Sequence, residues 1–128
     1  MGDGFVRYAL VAVGSAIGGC ARYGVGGVML RRFGTTFPWG TLFVNVTGSF
    51  VIAFAMAIAV DRLPLDPRWR LFVTVGVCGG YTTFSTFAYE TAKLIDGRDY
   101  ALAAANVVGS ALAGLVAVWL GTSVAKWI

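Results

Sequence analysis

The stretch GGYTTFSTF, from Gly79 to Phe87, sets two glycines and a run of hydroxyl residues inside an apolar part of the chain. No charged residue occurs between positions 71 and 89. Gly and Thr are poor helix formers, and adjacent glycines free the backbone to bend. The stretch therefore predicts an interrupted apolar helix with a function at the interruption. A simple kink, with Thr hydroxyls bonded to the local backbone, is the alternative.

The rest of the chain is equally apolar. Of its 128 residues 58% are hydrophobic and only 12% are charged, and the mean hydropathy is +0.77; soluble domains carry about 25% charged residues. A helix needs about 20 apolar residues to cross the hydrocarbon core. The sequence therefore predicts an all-α membrane protein, a single domain over residues 1–128 with a break in the third of four spans. The spans are expected at about 8–30, 39–60, 69–95 and 100–125.

Polar side chains recur at helical spacing in three of these spans. An asparagine is costly in lipid and should face the interior of the bundle. Hydrogen bonding between helices is the alternative for any one of them, but three spans together favour a polar path. The ladders are Thr41, Asn45 and Ser49, then Thr82, Ser85, Thr86 and Tyr89, then Asn106 and Ser110.

The residues along this path suit a small anion. Its one carboxylate is Glu90, near an end, whereas cation paths usually carry rings of Asp or Glu. Amide and hydroxyl groups supply donors, and Phe84 and Phe87 add electropositive ring edges. Arg22 is the one positive charge within the first span. It either faces the interior or extends to the membrane surface.

Lys and Arg residues are divided almost equally between the two sides of the predicted bundle. This near-balance allows insertion in both orientations, although a weak bias can still fix one. Two opposed copies would pair about a two-fold axis in the membrane plane. One side carries Arg7, Arg62, Arg68, Arg70 and Lys126, and the other Arg31, Arg32, Lys93 and Arg98.

Small residues also predict close helix packing. Gly14 with Gly18, and Gly76 with Gly80, are spaced four apart, which suits packing within one subunit or between two. The two cysteines, at positions 20 and 78, are expected to be small buried residues in their spans.

Three motifs resemble the Fluc (CrcB) family of fluoride channels: GGYTTFSTF, WGTLFVNVTGSF at Trp39–Phe50, and GGCARY at Gly18–Tyr23. The resemblance covers essentially the whole chain. It implies an antiparallel, dual-topology homodimer in the cell inner membrane, with two pores that passively export fluoride from the cytoplasm. It also implies a structural sodium ion at the dimer interface.

The resemblance further implies roles for individual residues. Phe84 and Phe87 match the family's phenylalanine box, and Asn45 matches an asparagine whose amide donates to the anion. Gly79 and Thr82 match the positions whose backbone carbonyls bind sodium. The remaining matches are the pore hydroxyls Ser85, Thr86, Thr41 and Ser110, the first-span Arg22, and Glu90 near one pore end.

Other classes of protein fit less well. A small dual-topology, proton-coupled multidrug exporter needs a carboxylate in its first span, and residues 8–30 contain none. A scaffold subunit would explain the glycines but not the hydroxyl ladders. The chain has no His and no Ser-His-Asp set, so an enzyme is not expected.

Overall fold

The computed structural model describes residues 2–63 and 65–128, which form a helical bundle without a strand. Four segments of it are long and apolar enough to cross a membrane: Gly2–Phe33, Trp39–Arg62, Pro67–Asp96 and Tyr100–Ala125. The prediction of an all-α protein with four spans is confirmed.

The second and third spans are each built from more than one helical piece. The elements are α1 (Gly2–Phe33), α2 (Trp39–Ala57), the π-helical turn π1 (Ile58–Arg62), α3 (Pro67–Leu71), π2 (Phe72–Cys78), α4 (Gly79–Tyr81), α5 (Phe84–Asp96) and α6 (Tyr100–Ala125). Short loops join the spans. Gly34 begins the first loop with a φ of +75°, a conformation that favours glycine.

Small residues bring the backbones of α1 and the third span into contact. Gly14 faces the backbone of Gly76, Gly18 faces the Val77 carbonyl, and Gly80 lies against the backbone of Ser15. The two predicted glycine pairs therefore pack within one chain. On the other side of the bundle α2 and α6 pack together in the same way, with Gly121 next to the backbone of α2.

Gly18→Ala is expected to destabilise the fold, whereas Gly19→Ala is not. A Cβ at position 18 would overlap the Val77 carbonyl and lie 2.7 Å from the Tyr81 backbone nitrogen, and neither atom can move freely. A Cβ at position 19 meets nothing within 4 Å. Overpacking costs about 1–3 kcal/mol or more. Thermal unfolding in detergent checks the pair; equal midpoints would contradict the close contact.

The two cysteines lie in different environments. Cys78 is 3% exposed, as predicted, but Cys20 is exposed on α1, so the prediction of a buried Cys20 is wrong for the single chain. The buried face of α1 runs through Gly14 and Gly18. Residue 20 is about 200° around the helix from Gly18, because successive residues are about 100° apart.

Candidate ion path at the interrupted helix

The third span is interrupted at Thr82 and Thr83, close to the middle of its 30 residues. Both residues are extended, with φ, ψ of −85°, 159° and −151°, 118°. The break was predicted, but its cause was not. Gly79 and Gly80 are helical residues of α4, and Gly80 serves close packing against Ser15.

Asn45 on α2 holds the break open. Its Nδ2 donates to the Thr83 carbonyl at 3.0 Å, and its Oδ1 accepts from the Thr83 backbone N–H at 2.8 Å. A backbone N–H can only donate, so these two bonds fix the orientation of the amide. An amide nitrogen carries two protons, so one N–H of Asn45 is left for another acceptor.

Thr83 restarts the helix as the N-cap of α5. Its Oγ1 accepts from the Thr86 backbone N–H at 3.3 Å and donates to Thr86 Oγ1 at 3.0 Å. Sequence reasoning missed Thr83. The signal was present, because a threonine directly before a helical segment is a common N-cap.

These bonds release two backbone carbonyls. In a continuous helix the N–H groups of residues 83 and 86 would bond to the carbonyls of Gly79 and Thr82. Here the first donates to Asn45 and the second to the side chain of Thr83. The two carbonyls that sequence reasoning singled out therefore lose their helical partners.

Arg22 faces the interior. Its Nε donates to the Gly80 carbonyl at 3.1 Å, which favours an interior position over extension to the membrane surface. The guanidinium therefore places a positive charge beside the carbonyl end of α4. A second contact also fixes α4, since Tyr81 Oη lies 2.8 Å from Thr47 Oγ1 on α2.

Two concave regions meet at Thr83, which lines both. The larger is a groove of about 1180 Å³ that runs towards the loop after α1, and the smaller is a cavity of about 310 Å³. Of the predicted site residues, the groove is lined by Arg22, Thr41, Thr86 and Glu90, and the cavity by Asn45, Gly79, Thr82 and Phe84. The α2 ladder thus passes from one region to the other.

The two phenylalanines stand together at the start of α5. Their ring centroids are 5.7 Å apart and the rings are inclined by 45°. Phe87 is partly buried, whereas Phe84 is 79% exposed. Ser85 is also exposed, and its Oγ lies 3.5 Å from Thr83 Oγ1.

Other predicted residues are placed differently. Thr82 lies outside α5, so it does not share a helical stripe with Ser85, Thr86 and Tyr89. Ser110 lines neither of the two regions; its hydroxyl donates to Asn106 Oδ1 at 3.4 Å. The role of Ser110 in the path stays a prediction.

Glu90 contributes an unusual group to the groove. Its Oε2 is buried and has no hydrogen-bond partner in the described part of the chain. A buried unpaired carboxyl oxygen is costly.

Gly48→Ala is expected to destabilise the protein, and Thr82→Ser is expected to relieve the defect. A Cβ at position 48 would overlap the Thr82 methyl group. Serine removes that methyl but keeps the hydroxyl that donates to the Cys78 carbonyl at 2.9 Å. Gly48→Ala alone should cost about 1–3 kcal/mol, and Thr82→Ser alone about 1 kcal/mol or less.

A double-mutant cycle measured by thermal unfolding checks this contact. Simple additivity of the two changes would contradict it.

Comparison with known proteins connects this geometry to a family. The family model described as "CrcB-like protein, Camphor Resistance (CrcB)" matches residues 9–122, which is most of the chain. The chain belongs to this family. The membership confirms the resemblance drawn from its three motifs.

Named relatives extend over nearly the same length. "Fluoride-specific ion channel FluC 1" of Rhodopseudomonas palustris (strain BisB18) is 57% identical over 125 residues, 96% of this chain and 89% of the relative. "Fluoride-specific ion channel FluC" of Paramagnetospirillum magneticum is 50% identical over 118 residues, 91% of this chain and 92% of the relative. The protein of that name from Solibacter usitatus is 43% identical over 121 residues, which are 94% of this chain and 99% of the relative.

Proposed function

We propose that this CrcB-family protein is a fluoride-selective channel of the cell inner membrane. It lets fluoride leave the cytoplasm passively and so relieves fluoride toxicity. The observation that carries the proposal is the Asn45–Thr83 pair, which fixes an amide donor beside a break in the third span. The names of the relatives supply the identity of the ion.

Uncharged donors suit the permeation of fluoride. The ion is small and strongly hydrated, so a pore must replace its water and still release it. The free N–H of Asn45, the hydroxyls of Thr41 and Thr86 and the ring edges of the phenylalanines are partners of moderate strength. Arg22 lines the same groove as Thr41 and Thr86, and it adds positive charge near the break, where its Nε donates to the Gly80 carbonyl.

A second copy of the chain is the proposed cover for the exposed side of the break. Irregular backbone in the middle of a membrane is tolerated only where protein or water covers it. Gly79 and Phe84 are nevertheless exposed at this depth in a single subunit. An antiparallel partner, related by an axis in the membrane plane, would bring the two breaks together. The near-equal charges of the two sides support this dual topology, and each dimer would hold two pores.

The released carbonyls fit a sodium ion at the dimer interface. Backbone carbonyls of unwound helices are suitable ligands for sodium in membrane proteins. Each subunit offers the backbone carbonyls of Gly79 and Thr82. The N–H groups that would bond to these carbonyls in a continuous helix donate instead to the side chains of Asn45 and Thr83. Two subunits would together offer four oxygens. The ion would hold the two breaks at a fixed separation and take no part in fluoride transfer.

Like the relatives, which are named as ion channels, this protein would carry out no covalent chemistry and would not be an enzyme. A proton-coupled exporter would need a carboxylate in its first span, and positions 8–30 of this chain contain none.

Topology can be measured on a chain with a single reporter thiol. Cys20→Ala and Cys78→Ala remove the native thiols, and Thr36→Cys places one in the exposed loop between α1 and α2. A membrane-impermeant maleimide added to intact cells should label about half of the protein if both orientations occur in equal numbers. Complete labelling, or none until the cells are opened, would contradict dual topology.

A further inference from the structure

Asn106 on α6 is completely buried within one subunit, with 0% of its surface exposed. A buried amide is costly unless it is hydrogen-bonded. Its Nδ2 donates to Thr91 Oγ1 on α5 at 2.9 Å. Unlike Phe84, which a partner would cover, Asn106 is enclosed by its own chain.

A second hydrogen bond links Thr91 to the backbone at the phenylalanine pair. Thr91 Oγ1 donates in turn to the Phe87 carbonyl at 2.8 Å. A relay of hydrogen bonds therefore runs from α6 through Asn106 and Thr91 to Phe87. Phe84, Phe87 and Thr91 follow the i, i+3, i+7 spacing of one helical stripe. A contact that fixes Thr91 therefore fixes the rotation of α5 about its axis, and with it the direction in which both rings leave the helix.

The helix α5 has few other supports. It buries no residue completely, it packs chiefly on α6, and it contacts α2 only weakly. Its first turn is held by the Asn45–Thr83 bonds. Among the described residues, the Asn106–Thr91 bond is the side-chain hydrogen bond that joins the middle of α5 to α6. In an apolar interior such a bond has no water to replace it.

We propose that Asn106 is a positioning residue for the ion path. It sets the rotation of α5 against α6, so that the rings of Phe84 and Phe87 face the ion, and it does not touch the ion itself. The inference rests on the proposed fluoride conduction, because the rings are the groups being positioned.

The chain offers a closely matched set of variants. Thr91→Val removes the hydroxyl that joins α5 to α6, and Thr91→Ser keeps it. Thr122→Val is the control, because Thr122 also donates to carbonyls of its own helix but receives no bond from another helix among the described residues. Asn106→Leu combined with Thr91→Val removes both polar groups, so that neither is left unpaired.

Two measurements are made on purified protein in liposomes. The first is the initial rate of fluoride efflux. The second is the 19F resonance of 4-fluorophenylalanine placed at position 87, which reports the ring without requiring conduction. Thr91→Val should slow efflux at least about tenfold, since misplacing reacting groups by about 1 Å can cost about 100-fold in rate. It should also shift or broaden the resonance.

Thr91→Ser and Thr122→Val should match the wild type in both measurements. A wild-type resonance or a wild-type efflux rate in Thr91→Val would overturn the inference. If that variant does not fold, the double variant takes its place with the same criteria. A wild-type protein that passes no fluoride would refute the proposed function, while the resonance would still show whether Asn106 orients the ring.

Discussion

Phe84→Ile is expected to reduce fluoride efflux at least about 100-fold, the loss typical when one aimed donor is removed from a site that stabilises negative charge. Isoleucine retains much of the apolar bulk but has no electropositive ring edge. The subunit should stay folded, because the side chain of Phe84 is 79% exposed and adds little to its core.

The matched control is Phe5→Ile. Phe5 is 77% exposed but lies near the start of α1, far along the chain from the break. Initial efflux from liposomes compares the two variants. Normal efflux in Phe84→Ile would remove the ring edge from the mechanism, and an equal loss in both would show a general effect of removing an exposed aromatic residue.

Asn45→Asp is expected to stop fluoride efflux. Aspartate can still accept from the Thr83 N–H, but it loses the donor that bonds to the Thr83 carbonyl. Leaving a buried acceptor unpaired costs about 1–3 kcal/mol. The carboxylate also places a negative charge where the anion should pass, which opposes entry.

Thr122→Val is the control for this variant. Thr122 is also a polar residue inside a span, but it lines neither of the two concave regions, and its hydroxyl donates to carbonyls of its own helix. Its efflux should be close to that of the wild type. Gel filtration and efflux are measured on both variants, and rapid efflux in folded Asn45→Asp would exclude Asn45 from the path.

The spans were predictable because their cause is local. Long uncharged segments and the membrane thickness together specify helices, and the structure has four helices that are long and apolar enough to cross a membrane. The glycine pairs were also recognised, although their spacing alone did not tell contact within a subunit from contact between subunits. Which of the two contacts forms depends on residues that lie 58 to 66 positions away from these glycines along the chain, such as Val77 opposite Gly18.

The construction of the break was not predictable from local patterns. Glycine has a weak preference against helix, and contacts elsewhere readily override it, so Gly79 and Gly80 remain helical. The break instead depends on Asn45, 38 residues before Thr83. Arg22 is a similar case, since its partner at Gly80 is 58 residues away. Sequence periodicity identified the polar groups, but tertiary contacts determine which of them meet.

Fluoride efflux from liposomes that contain only the purified protein tests the central claim most directly. Vesicles loaded with fluoride and chloride are diluted into buffer that lacks both, and each ion is followed with its own electrode. The account predicts that fluoride leaves and chloride stays. Vesicles that retain their fluoride, or that lose both halides at the same rate, would contradict it.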